Sequence, residues 1–135
     1  ETVARVDEVK RKFGLPVIKA MPVATRSDVD ASHAYVGHSD YILFDAKPPK
    51  GQGDGLPGGT GLSFDWSLLS NLPPEMSAEM PWVLSGGLSL DNIAEAIRQT
   101  HCRFVDLSSG VEVRPGVKSA AKIKAFMAAI KEASE

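Results

Sequence analysis

The apolar positions of the chain follow two periods that alternate. Val3, Val6, Val9 and Phe13 recur at helical spacing from almost the first residue; Lys10, Arg11 and Lys12 crowd the last turn and Gly14 ends it. This predicts a helix without a cap at its start, and hence an element that continues upstream. Pro16 to Val23 reads as the first strand, led by Val17 and Ile18, and Ser27 to Val36 as a weaker helix ending near Gly37. Tyr41-Ile42-Leu43-Phe44 is the second strand, with Asp45 at its carboxyl end. Lys47 to Leu62 is too dense in glycine and proline for regular structure, and predicts a long loop able to close over Asp45 as a lid. Phe64 to Leu69 reads as a short helix. Trp82-Val83-Leu84 is the third strand and runs into Ser85-Gly86-Gly87. Ser89 is expected to cap the next helix, with Asp91 in its first turn and Ile93, Ala96 and Ile97 on one face. Phe104 to Leu107 is the fourth strand and runs into Ser108-Ser109-Gly110. Ser119 caps a last helix, with Ile123, Phe126, Met127 and Ile130 as its expected buried stripe.

Four strands, each followed by a helix, predict an α/β fold with a parallel sheet. An open doubly wound sheet and half of a (β/α)8 barrel both fit. A full barrel takes roughly 250 residues, so the 135 present would make about half of one, as a single unit over residues 1–135. A hydrophobic content of 43% suffices for a core. The net charge of −2, with no basic cluster beyond Lys10-Arg11-Lys12, argues against a nucleic-acid partner. No apolar run approaches the roughly 20 residues of a membrane helix. The first residues lack the charged start and apolar stretch of a signal peptide. The lone Cys102 excludes an internal disulfide and suits a reducing cytoplasm, where the chain is expected to reside.

The candidate chemistry gathers at the carboxyl ends of the strands. Gly86-Gly87 and Ser109-Gly110 leave backbone N–H groups bare at the ends of neighbouring strands, which is the makeup of a phosphate site. Asp45 ends an apolar strand, where packing gives no reason for a charge. Strand alternation puts it on the face of Leu43, and a covered carboxylic acid with a raised pKa can donate a proton. The alternative is an aspartate that caps the loop. Asp106 shares a face with Phe104 and Ser108, one layer below the glycine turn, and is expected to be a buried supporting carboxylate. Lys19 is either an inward charge or a snorkelling edge lysine. His33, His38 and His101 lack ligand spacing and read as solvated, with no metal site. Cys102 precedes its strand, at the end away from the presumed site, and reads as structural.

The run Tyr41 to Lys47, then Gly58-Gly59-Thr60-Gly61 and Phe64-Asp65-Trp66, resembles phosphoribosylanthranilate isomerase. So do Leu84-Ser85-Gly86-Gly87-Leu88 with Asn92, and Val105 to Glu112 with Pro115-Gly116-Val117-Lys118. The resemblance covers nearly the whole chain and corresponds to strands five to eight of that family's (β/α)8 barrel. It implies an Amadori rearrangement of N-(5′-phosphoribosyl)anthranilate to an aminoketose, in tryptophan biosynthesis, without metal or cofactor. The family's general acid matches Asp45, and its strand-eight aspartate matches Asp106. Its phosphate cradle matches Gly86, Gly87, Ser108, Ser109 and Gly110. Its general base, a cysteine on strand one, has no counterpart here, and Cys102 does not match it. The implied reading is the carboxyl-terminal half of the isomerase, inactive alone, which self-associates or pairs with its amino-terminal half. The competing readings are another phosphosugar-binding barrel enzyme, disfavoured by the Gly58 to Trp66 segment, and a non-catalytic phosphate-binding half-barrel.

Overall fold

Four parallel strands lie side by side in chain order: β1 (Ile18–Val23), β2 (Tyr41–Ala46), β3 (Trp82–Ser85) and β4 (Phe104–Val105). The structure is a computed structural model and describes residues 1–46, 65–70, 72, 76 and 80–134. The strand order never reverses, whereas a doubly wound sheet reverses at its switch point. Right-handed crossovers taken in one direction keep the helices on a single face of the sheet.

The burial pattern agrees. Ile42 and Phe44 of β2, Trp82 and Leu84 of β3, and Val23 of β1 are all buried and share one core with Val29, Ile93, Ala96 and Phe126 from the helices. Phe44 meets Trp82 edge to face, with centroids 5.8 Å apart. Burying each such side chain stabilises the fold by about 1.5–3 kcal/mol. The alternate positions, Ile18, Ala20 and Pro22 of β1 and Phe104 of β4, are exposed on the other face. Tyr41 and Phe104 pack edge to face there, 5.9 Å apart.

Helix α1 (Val3–Phe13) ends at Gly14 in the left-handed conformation, as its sequence requires. Its start is capped, contrary to expectation: the Thr2 hydroxyl accepts from the Arg5 N–H at 3.3 Å. Asp40 ties this helix to the sheet, accepting from Lys10 Nζ at 2.9 Å and from the Val17 N–H at 2.7 Å. Lys19 lies on the helix-bearing face. Its ammonium donates to the Ala20 carbonyl and Glu1 and sits 5.3 Å from the Tyr35 ring centroid, so it is a largely covered charge with partners on the helix side of the sheet.

Helix α2 (Arg26–Ala31) stops early and tightens into a 3-10 turn over Ser32–Tyr35. The expected helix at Phe64 to Leu69 is a single 3-10 turn, Trp66–Leu68, with Asp65 as its cap. The Lys47 to Leu62 loop, and its proposed role as a lid, lie outside the described residues.

Three further expectations are corrected. Helix α3 (Ile93–Thr100) begins later than expected, and Asn92 occupies the cap position that Ser89 was expected to hold. The Asn92 side chain accepts from the Ser89 N–H, so Ser89 and Asp91 belong to the turn before the helix. Strand β4 is two residues long, and a hairpin of β5 (Glu112–Arg114) and β6 (Val117–Lys118) separates it from the last helix. Helix α4 (Ala120–Ala133), capped by Ser119, buries only Phe126 fully. Phe126 with Ala129, Ile130 and Ala133 makes the face in contact with the core, while Ile123 and Met127 are exposed. The alanines set this face because their small side chains let the helix approach closely. Among the described residues no helix is long and apolar enough to cross a membrane.

Candidate active site

Residues paired in register on neighbouring parallel strands point to the same side of the sheet. Asp45 is paired with Pro22 of β1 and Ser85 of β3, so all three emerge on the face that, among the described residues, carries no helices. The Ser85 hydroxyl donates to Asp106 Oδ2 at 3.0 Å. The Asp106 N–H donates to the Leu84 carbonyl at 2.8 Å, continuing the ladder past the end of β4. Asp45, Ser85 and Asp106 therefore form one polar row across the carboxyl edge of three strands. Asp106 was expected to be buried below the glycine turn. It is exposed instead, level with Ser85, because β4 ends before it.

Partial burial at this crowded edge pushes the Asp45 carboxyl above its usual range, and the charge of Asp106 pushes it further. The Ala46 N–H offsets part of this by stabilising the carboxylate. The row thus pairs a carboxyl that retains its proton more readily than usual with a serine-bridged neighbour.

The two small-residue turns meet beside this row. Gly86 and Gly87 both have positive φ, at 89° and 65°. A Cβ on Gly86 would overlap the Ala46 backbone N and lie 2.5 Å from the Ala46 side chain. A Cβ on Gly110 would overlap the Leu88 carbonyl oxygen and lie 3.2 Å from Ser89 Cα. Both glycines are therefore required by the packing of one turn on its neighbour, whether or not an anion binds. Among the described residues, the backbone N–H groups of Gly86, Gly87, Ser109 and Gly110 have no acceptor.

Each turn is held by a side chain. Asn92 Nδ2 donates to the Gly87 carbonyl at 2.9 Å, while its Oδ1 accepts from the Ser89 N–H at 2.8 Å. In the second turn, Lys118 Nζ donates to the Ser108 carbonyl at 2.9 Å and to its hydroxyl at 2.7 Å. Neither Ser85 nor Lys118 stood out as a site residue in the sequence. The Pro115-Gly116 turn would have pointed to Lys118, since it places Glu112 opposite Lys118 in a hairpin.

Cys102 lies at the other end of β4, buried, with its thiol pushed up by that burial. It borders a cavity of about 560 Å³ between α3 and α4, whose lining includes no residue of the polar row. His38 is not simply solvated: its Nδ1 lies 2.8 Å from Asp7 Oδ1. Among the described residues, no group of three or more His, Cys, Asp or Glu is placed to hold a metal ion.

Comparison with known proteins bears directly on this arrangement. An N-(5′-phosphoribosyl)anthranilate isomerase of Rhodopseudomonas palustris is 51% identical over 129 residues, which are 96% of this chain and 56% of that protein. The phosphoribosylanthranilate isomerase structure from Thermotoga maritima superposes with a TM-score of 0.70 at 36% identity, over 93% of this chain and 57% of that one. An isomerase structure in complex with reduced 1-(o-carboxyphenylamino)-1-deoxyribulose 5-phosphate superposes with a TM-score of 0.68 at 33% identity, over 93% and 54% respectively. The chain thus spans a little over half the length of the relatives it matches. The family profile described as N-(5′-phosphoribosyl)anthranilate (PRA) isomerase aligns with residues 4–129. On that match, which takes in both strand-end turns and the polar row, this chain belongs to the PRA isomerase family.

Proposed function

We propose that these 135 residues carry the general acid and the phosphate-binding turns of a phosphoribosylanthranilate isomerase. The observation that carries this reading is Asp45: a strand-end carboxyl with a raised pKa, on the open sheet face, beside two turns with bare N–H groups. In the rearrangement, Asp45 gives its proton to the furanose ring oxygen as the C1–O bond breaks, leaving a Schiff base to the anthranilate nitrogen. A base then takes the C2 proton, and the electron pair moves to neutralise the iminium. The resulting enol relaxes to the ketone. Asp106 supports the acid by keeping its carboxyl protonated through charge repulsion, and Ser85 holds Asp106 in place. Gly86, Gly87, Ser108, Ser109 and Gly110 receive the 5′-phosphate.

The sheet is read as four of the eight strands of a (β/α)8 barrel. This is supported by the sequential strand order, by a face and two edge strands, β1 and β4, that no other described residue covers or pairs, and by the relatives' greater length. The general base, a cysteine in the family, would come from complementary βα units, because Cys102 lies at the wrong end of its strand. Closure by those units, or by a second copy, would cover Ile18 and Phe104. The enzyme is placed in the cytoplasm, where a lone thiol stays reduced.

The test is Asp45→Asn in the full-length enzyme, assayed by the decay of anthranilate fluorescence. The amide keeps the shape but has no acidic proton, so kcat should fall by about 10²–10⁴ with KM little changed. A loss in kcat below about tenfold would remove Asp45 from the acid role.

A further inference from the structure

Lys118 projects from β6 onto the second turn, and its ammonium is fully committed there. An ammonium carries three protons. Three acceptors meet this one: Ser108 O at 2.9 Å, Ser108 Oγ at 2.7 Å and Glu112 Oε1 at 2.6 Å. None is left over for a bound anion, so direct ligation by Lys118 would require breaking a contact of the turn.

The contact to the Ser108 carbonyl has a geometric consequence. A trans peptide is planar, with C=O and N–H pointing in opposite directions. Holding Ser108 O on Lys118 therefore holds the Ser109 N–H pointing away from Lys118. The Ser109 N–H has no acceptor among the described residues, nor does that of Gly110.

The brace behind Lys118 is extensive. The second oxygen of Glu112 accepts from the Gly116 N–H at 3.1 Å, and Lys122 Nζ donates to the Glu112 carbonyl at 2.6 Å. The hydrogen bond from Lys118, with that from Gly116, holds the Glu112 carboxyl below its usual range, so Glu112 stays an anion facing the ammonium.

We propose that Lys118, braced by Glu112, is the positioning residue of the second anion-binding turn. It sets the Ser108–Ser109 peptide plane so that the Ser109 N–H, beside the Gly110 N–H that follows it, faces the phosphate of a phosphorylated ligand. This rests on the reading of the turn as a phosphate cradle.

The experiment titrates inorganic phosphate into the full chain and its variants, following backbone amide resonances and fitting the dissociation constant. In the unsubstituted chain the Ser109 and Gly110 amides should shift with phosphate; if no amide of either turn responds, the cradle reading itself fails. Lys118→Met should weaken phosphate binding about tenfold, the equivalent of one charge-assisted hydrogen bond. The loss should persist in about 0.5 M salt, where screening shortens the reach of a free charge to about 4 Å. Lys118→Arg, able to span the same acceptors, should recover most of the affinity. Glu112→Gln keeps the side chain's shape and should cost about threefold, which decides the matter if Lys118→Met does not fold. Phosphate affinity unchanged in Lys118→Met, or in Glu112→Gln where only that variant folds, overturns the inference. So does a loss in Lys118→Met that salt abolishes, since Lys118 would then act as a plain charge.

Discussion

Alanine at Gly86, Gly110 and Gly116 separates two reasons for glycine. Gly116 has φ 79° with nothing within 4 Å of an added Cβ, so alanine there meets backbone strain alone. Gly110 has no positive φ, but its Cβ would overlap the Leu88 carbonyl, so alanine there meets crowding alone. Gly86 has both, with φ 89° and Ala46 in the way. Left-handed backbone costs an alanine about 1–2 kcal/mol. Overpacking against atoms that cannot move aside costs about 1–3 kcal/mol. Gly86→Ala should then destabilise by about 2–5 kcal/mol, with Gly110→Ala and Gly116→Ala each near one component of that sum. The loss of unfolded-state freedom favours alanine at all three sites, so it cancels in the differences. Urea unfolding of the three variants is the assay. With a slope of about 1–3 kcal/mol per molar, a 2 kcal/mol gap moves the midpoint by about 1 M. A Gly86→Ala variant no less stable than Gly116→Ala would show that Ala46 yields freely, and would refute the claim that packing requires this glycine. The same reasoning disqualifies larger residues at Gly86 as tests of phosphate binding, because they would disturb the end of β2 first.

Two further outcomes are expected. Asp106→Asn should lower the Asp45 pKa but leave it above 3.8, because burial, the larger cause, remains. In the unsubstituted protein the raised pKa means that the folded state holds this proton more tightly. Its contribution to stability is complete below 3.8, declines as pH rises through the folded-state pKa, and is absent in Asp45→Asn. Carboxyl carbon NMR titration reads the pKa directly, and an Asp45 titration unmoved by Asp106→Asn would dissociate the pair. The 135-residue chain alone should show no isomerase turnover, and the first four βα units of a relative, supplied with it, should restore some. Turnover by the purified chain alone, at a rate comparable to a full-length relative, would mean that a base is present among these residues.

Much of the architecture follows from local patterns. The end of α1 at Gly14, the Ser119 cap, the core positions of α3 and the parallel pairing of β3 with β4 are each readable because periodicity, caps and turn residues act within a few positions of one another. The two glycine turns and Asp45 at a strand end were legible for the same reason. What local patterns leave undecided is which face of an element meets a neighbour. Ile123 and Met127 fit an apolar stripe as well as Ala129 and Ala133 do, and only the approach of α4 to the core selects the alanines. Asp106 looked buried because its strand was expected to run on to Leu107. Strand β4 ends at Val105 and leaves Asp106 exposed, while the Leu84–Val105 register sets its carboxylate level with Ser85 and within electrostatic reach of Asp45. Lys118 is ten positions from Ser108, and only the fold of the hairpin places its ammonium on that carbonyl. Gly86 and Gly110 were legible as turn residues, but their packing reason was not. The atoms they must avoid, in Ala46 and Leu88, belong to segments distant in sequence, and the tertiary structure alone brings those atoms within contact.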